Sequence, residues 1–447
     1  MQQQLLNNQQ NMANILANLN TSNLWKKIGY TLLMIAIFRF CTQLPLFGIN
    51  NEAFANLAGG NNLVGFLDMF SGGALGNVSI IALGIGPYIT SSIIMQLLAV
   101  VIPHLEQLQK EEGEAGRRKL SQYTRLFTVV IAVIQATAFV VYLLKSGNAM
   151  ILPGINHFLF AIGSISVLTA GAVFIMWMAE LMTERGIGNG ASMLIFCGII
   201  SRIPVYIGRT VDLVVNDSSL QLGLLVLLTI FFATMVLVVI MQEAERKVII
   251  VNPKRQIGNK VYGGNNTYIP FKLNPGGVMP IIFAIAILLF PTTILSLVGA
   301  SGLPDGHLKD FIVGFSNLLN SGWVYNTIYF VLIVSLTFFY ASIIPNLQPK
   351  EIATNLKKYG SSIPGIKPGK PTAEALDKIL SKTTFIGAIG LGIVALIPSL
   401  SSHLTGITTL QGLGSTSLII MVGVALDFLN QVRVHLLPKD YASFLKQ

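Results

Sequence analysis

Charged residues are scarce in this chain. Asp, Glu, Lys and Arg make up 11% of its 447 residues, against about 25% in soluble globular domains. With 53% hydrophobic residues and a mean hydropathy of +0.67, that scarcity excludes a water-soluble fold and calls for a helical membrane protein of several spans. Cysteine is limited to Cys41 and Cys197, both inside apolar runs, which fits structural thiols rather than a disulfide scaffold. The histidines (His104, His157, His307, His403 and His435) fall in loops or at span edges and form no zinc-spaced cluster. There is no Walker A loop and no Ser-His-Asp or Ser-Lys set. No enzyme, metal or cofactor is therefore expected. Ionisable residues inside spans are few, with Arg39, Glu180 and Asp427 near span ends and Arg202 within or at the edge of one. An ion-coupled transporter commits intramembrane Asp, Glu or His to its ion path, so this scarcity argues against one. The opening residues lack a basic stretch followed by an apolar core, so no cleavable signal peptide is expected. Residues 1–22 read instead as a Gln/Asn-rich cytosolic tail.

The apolar runs predict ten spans of about 20 residues. They are Trp25–Leu44, Val78–Val101, Gln122–Leu144, Phe158–Met182, Asn189–Ile207, Leu220–Met241, Gly276–Val298, Trp323–Pro345, Thr383–Pro398 and Leu413–Val432. Of the 29 Lys and Arg, only Arg39, Lys145, Arg202, Arg209 and Lys309 lie away from one set of alternate loops and the chain ends. By the positive-inside rule both termini are cytosolic. Ten spans split into five plus five, residues 23–212 and 213–447. An odd number per half makes the second enter the membrane from the opposite side, the arrangement of an inverted repeat.

The stretch LVGFLDMFSGGALGNVSIIALGIGPYITSSIIMQLL, Leu63 to Leu98, stands apart. An apolar piece too short to cross, about 63–75, is broken by Ser-Gly-Gly and Gly-Asn and followed at once by a full span. Backbone N–H and C=O groups cannot stay unpaired in lipid, so such a break survives only inside protein or beside water. A surface linker is the alternative, but the piece before the break is too apolar for one. Nearby lie Ile85 and Ile89, with Ile195, Ile282 and Ile420 on other spans. Singly these read as packing residues; at one depth they would form an apolar constriction able to seal a pore.

Two long loops on the cytosolic side carry most of the remaining signal. About 243–274 contains Arg246, Lys247, Lys254, Arg255 and Lys260 on what reads as a β-hairpin. About 346–382 clusters Lys357, Lys358, Lys367 and Lys370 around a Gly-Pro-rich tip. Positive-inside bias and anionic lipid account for some basic residues. Loops this long, with their own turn chemistry, project beyond the headgroups and suit an acidic partner, including ribosomal RNA.

Read in order, MFSGGALGNVSIIALGIGPYITSSIIMQLL, QKEEGEAGRRKLSQYTR, MAELMTERGIGNGASMLIF, PKRQIGNKVYGG, GGVMPIIFAIAILLFP and NLKKYGSSIPGIKPGKPTAEALDKI resemble the SecY family from about Trp25 onward. That family supplies the channel subunit of the bacterial and plastid protein translocase. The resemblance implies an all-α clamshell of two inverted five-helix halves, hinged around 209–220, that passes unfolded secretory polypeptides and releases transmembrane segments sideways into lipid. It implies a plug helix built from Phe66, Leu67, Met69, Phe70, Ser71, Gly72, Gly73 and Leu75. A pore ring is implied at Ile85, Ile89, Ala191, Ile195, Ile282 and Ile420, and a side gate lined by Gln96 and Gln135, where signal sequences intercalate. The basic residues of both loops would dock the ribosome or the SecA motor, with SecE and SecG as companion subunits. The bacterial plasma membrane is the expected location, with thylakoid or plastid membranes as alternatives.

Three positions depart from the family pattern. Ala191 stands where the ring often has a larger aliphatic. Lys367, in GIKPG, stands where Arg is usual, so a point charge replaces a bidentate fork. Asn259 replaces a basic residue at the hairpin tip and leaves Lys260 alone there. The reading from another class, an inverted-repeat transporter of a small solute, accounts for the broken helix but not for the long basic loops or the missing carboxylates.

Overall fold

The computed structural model describes residues 24–50, 68, 71–110, 113–145, 151–152, 154–216, 221–253, 255–257, 260–262, 266–298, 314, 322–343, 348–405 and 415–444. Residues 24–42 form helix α1. In chain order there follow α2 (Gly86–Val101), α3 (Pro103–Lys110), α4 (Gly113–Lys145), α5 (His157–Arg185), α6 (Gly190–Asn216) and α7 (Gln221–Glu243). Four strands, β1 (Glu245–Val251), β2 (Arg255–Ile257), β3 (Lys260–Tyr262) and β4 (Asn266–Lys272), precede α8 (Met279–Val298), α9 (Gly322–Ile343), α10 (Pro349–Tyr359), α11 (Lys370–Thr405) and α12 (Ser415–Phe444). Among the described residues seven helices are long and apolar enough to cross a membrane: α4, α5, α6, α7, α9, α11 and α12. Shorter apolar helices occur at Gly86–Val101 and Met279–Leu288.

The chain divides into two units: residues 1–98, 117–209 and 420–447 in the first, 99–116 and 210–419 in the second. In the first, α4 shows how a span that is apolar all round still chooses a face. Thr128, Ala132, Ala136, Val140 and Leu143 are buried, while Val129, Val130, Val133 and Ile134 are exposed. The buried stripe follows helical spacing, and the exposed apolar face suits lipid rather than water. Thr128 and Thr137 donate their hydroxyls to carbonyls one turn back, at 2.7 Å each, which satisfies them without a partner helix. Ala136, Val140 and Leu143 of the stripe join Leu46, Ile49, Leu75, Val78, Ala82, Ile151, Phe160 and Leu168 in one core.

In the second unit α11 is the hub, packed against α7, α9 and α10, and α8 packs on α9. Its GAIGLG run makes the close approaches possible. A Cβ at Gly390 would strike Met241 of α7, and one at Gly392 would strike Phe330 of α9, 2.5 Å from its ring. Small residues at such crossings let membrane helices come near enough for dispersion to hold them.

Two expected boundaries shift. The second span, expected from Val78, becomes helical only at Gly86. Val78 has a φ of +40° and Gly84 one of +57°, both incompatible with a right-handed helix. Residues 71–85 run through successive turns instead. The loop expected at 346–382 is largely helical, because α10 occupies its first part and α11 begins at Lys370.

Candidate functional site

Unusual chemistry gathers in two places, one in each unit. The first is the break. Phe66, Leu67, Met69 and Phe70 lie outside the described residues, whereas Asp68 and the run from Ser71 are described. The helix expected over 63–75 does not extend through its last part: Ser71, Gly72, Gly73 and Leu75 are in turns. Gly72 and Gly73 have φ of +70° and +92°, a conformation that glycine adopts without steric cost. Several of these turns are closed locally. Ala74 N–H donates to the Ser71 carbonyl, Val78 N–H to Leu75, Ser79 N–H to Ala74 and Gly84 N–H to Ile81, while Leu75 N–H donates to Ser71 Oγ. The chain before the break is sewn to it: Leu46 N–H reaches the Val78 carbonyl at 2.8 Å and Ile80 N–H the Leu44 carbonyl at 3.0 Å. These bonds are made within the protein, as a broken span requires.

Charged side chains complete it. Arg202 of α6 forms an ion pair with Asp68, whose other oxygen accepts from Gly76 N–H. Arg39 of α1 donates to the Gly72 carbonyl at 2.7 Å. From sequence, Arg39 and Arg202 count only as charges in or near apolar spans, and Asp68 has no expected role. A signal is nonetheless present: a carboxylate inside an apolar half-span is costly alone and implies a cation partner.

Of the expected pore ring, Ile85, Ile89, Ala191, Ile195 and Ile420 belong to the first unit and Ile282 to the second. Ile85, Ile195, Ile282 and Ile420 are buried; Ile89 and Ala191 are half-buried. Each lies within two turns of the start of a helix. Ile85 accepts the N–H of Ile89 at 3.1 Å, and Asn189 caps α6 through its side-chain oxygen to Ala191 N–H at 3.0 Å. Gln96, on α2, donates to Ser92 Oγ at 3.3 Å, and Gln135, on α4, is half-buried. Cys41 and Cys197 are free and half-buried.

The second place is the basic body of the second unit. β1 pairs antiparallel with β4 and β2 with β3, with Glu245 opposite Lys272, Arg255 opposite Tyr262 and Ile257 opposite Lys260. Both ladders keep one register, so the expected hairpin is a single ribbon interrupted near Asn252 and Pro253. The second basic loop folds against it. Val251 and Ser362 exchange backbone hydrogen bonds at 2.9 and 3.1 Å, and Ser361 Oγ donates to Asn252 Oδ1 at 2.8 Å. Beneath them Val248, Phe271, Ile363, Leu376 and Leu380 form a small core, each apolar side chain adding about 1.5–3 kcal/mol when fully buried. The two loops are thus one folded body.

Its basic residues point outward. Arg246, Lys247, Lys357, Lys358, Lys367 and Lys370 are exposed. Lys247 lies 3.5 Å from Glu245 and over the ring of Tyr268, 4.9 Å from its centroid. Lys357 and Lys358 sit in the last turn of α10, where positive charge complements the helix dipole. Gly360, at φ +71°, closes that helix with its N–H on the carbonyls of Leu356 and Lys357. Lys367 uses its carbonyl to receive the Thr372 hydroxyl at 2.8 Å, leaving its ammonium free to face solvent. Arg255 and Lys260 are placed on paired strands by backbone register alone, and Lys254 and Asn259 lie outside the described residues.

Known proteins similar to this chain agree with one another. The SecY family model matches residues 79–429. A protein translocase subunit SecY from Synechocystis sp. is 43% identical over 422 residues, covering 93% of each chain. Among solved structures, a protein-conducting channel superposes with a TM-score of 0.66 at 18% identity, covering 92% of each chain. A second, studied for a SecY plug domain that stabilises the closed translocation channel and maintains a membrane seal, gives 0.63 at 16% identity over the same share. The structural likeness speaks for the fold, while the sequence match runs through the turn-built break, the apolar spans and the basic ribbon together; this multi-pass membrane chain belongs to the SecY family.

Proposed function

We propose that this chain is the pore-forming subunit of a protein-conducting channel, through which unfolded polypeptides cross a membrane and apolar segments leave sideways into lipid. The observation that carries the reading is the break at 71–85, whose turns bond to one another and to Arg39, and whose Gly76 N–H is held by Asp68, itself paired with Arg202. A static helical bundle has no use for such a segment. A channel that must seal at rest and open on demand has.

On this reading the chain crosses the membrane ten times in two inverted halves, with both termini cytosolic. The segment about 63–75 is the plug, and Ile85, Ile89, Ala191, Ile195, Ile282 and Ile420 form the aliphatic ring. An apolar ring seals by dewetting and still yields to a bulky chain. Gln96 and Gln135 line the side gate, and an apolar segment that reaches it gains a few tenths of a kcal/mol per Leu, Ile, Phe or Val on entering lipid. The basic body docks an acidic partner, a translating ribosome or the SecA motor. That partner supplies the energy, since the pore subunit itself has no reaction to catalyse. SecE and SecG complete the assembly. The cyanobacterial relative supports a plasma or thylakoid membrane. The small-solute transporter finds no support in the family assignment.

Deletion of residues 66–75 tests this directly. Reconstituted vesicles should leak ions at rest and pass substrates with weak signal sequences. Unchanged closure would remove the plug from the mechanism.

A further inference from the structure

The three charged groups at the break are arranged more tightly than sealing a turn requires. Arg39 and Arg202 come from two different helices, α1 and α6, and converge on one short stretch of chain, Arg39 on the Gly72 carbonyl and Arg202 on the Asp68 carboxylate. The side chains of Arg202 and Asp68 retain 23% and 14% exposure, so bulk salt screens the pair weakly. Each would be costly there alone.

The glycines are what admit them. A Cβ on Gly73 would lie 2.7–2.9 Å from the Arg202 guanidinium, and one on Gly76 would lie 3.0 Å from both Arg202 Nη2 and Asp68 Oδ1. A Cβ on Gly72 would come within 2.9 Å of the Gly198 backbone on α6. Ser-Gly-Gly therefore does more than break a helix. It forms a flat bed on which a guanidinium lies against the main chain. Within the Arg202 guanidinium, Nη2 donates to the carboxylate while Nε is buried with no acceptor. A half-buried ion pair with a buried donor left over has limited net stability. That suits a contact that holds at rest and breaks in use.

We propose that Asp68, Arg202 and Arg39 are positioning residues that latch the plug segment to α1 and α6 and thereby set the resting seal. This rests on the plug reading above. Moving Asp68 away breaks the ion pair and strips Gly76 of its acceptor in the same step, so release is concerted rather than gradual.

The test uses the complete complex in lipid vesicles and two readouts, resting ion leak and thiol access. For the second, Ala74, which is fully buried, becomes cysteine in a chain carrying Cys41→Ser and Cys197→Ser, and an impermeant maleimide reports its exposure. Asp68→Asn and Arg202→Gln should each raise leak and labelling rate several-fold. The double variant should add little to either single, because the same contact is already lost. Arg202→Lys, which keeps the charge, should restore part of the seal. If the 66–75 deletion leaks but the Asp68 and Arg202 variants seal like the parent and protect the thiol, the latch is wrong and the plug stands. If the deletion itself does not leak, both fall. Should Asp68→Asn fail to assemble, Arg39→Gln frees the Gly72 carbonyl and is read by the same two assays, with parental values counting against the latch.

Discussion

The break and the basic body solve one problem with the same residue types and opposite results. Both are irregular stretches rich in Gly, turns and cations. In the break, the cations are drawn inward to partners in the protein: Arg39 to the Gly72 carbonyl, Arg202 to the Asp68 carboxylate beside Gly73 and Gly76. In the basic body, the main chain is satisfied by a β-ladder and helix caps. Apolar side chains such as Phe271 and Ile363 fill the inside, and the cations are left in water. Solvent decides which applies. Where water is absent, an unpaired backbone group or charge costs several kcal/mol and must be met by protein. Where water is present, a free lysine costs nothing and can meet a partner.

The comparison can be broken most severely at its apolar centre. Phe271→Ala removes a fully buried ring from the basic body and should cost about 3–5 kcal/mol. Limited proteolysis should then cut at both 243–274 and 346–382 together, since they share that core. Cleavage of one loop with protection of the other would show that they fold separately. A smaller effect is expected in the break. Gly73→Ala imposes a side chain at φ +92° and against Arg202, at about 1–3 kcal/mol. It should raise resting leak while leaving the proteolysis pattern of the basic body unchanged. The smallest effect should come from the surface. Lys357→Glu with Lys358→Glu should leave assembly intact and weaken ribosome or motor binding. If the partner surface is RNA, the log–log salt slope should fall by about one per cation lost. Undiminished binding at physiological salt would remove α10 from the docking surface.

Much of this architecture is legible in the residues alone. Span positions come from runs of about 20 apolar residues, and the break is visible because Ser71–Gly73 and Gly76–Asn77 interrupt such a run. The hairpin is visible as well, in VIIV and VY flanking a turn. Less legible is where the second span becomes helical. Apolar residues from Val78 onward look continuous, yet Val78 and Gly84 hold left-handed backbone that only their surroundings impose. The latch is the hardest to see. Asp68 and Arg202 are 134 residues apart, and each looks like an isolated charge near an apolar run.

What is local and additive in this protein is set by the order of its residues: its membrane class, the places of its apolar helices, the clustering of basic residues in two long stretches and the point at which one span gives way. Each depends on hydropathy or charge summed over a short window, so no knowledge of neighbours is needed. Which distant pieces meet is a matter of packing alone. Packing brings Asn252 to Ser361, 109 residues away, and makes two loops one body. It brings Arg202 to Asp68 and gives three glycines a second use. Such contacts depend on how the helices fit, and that fit depends on the shapes of all their side chains at once.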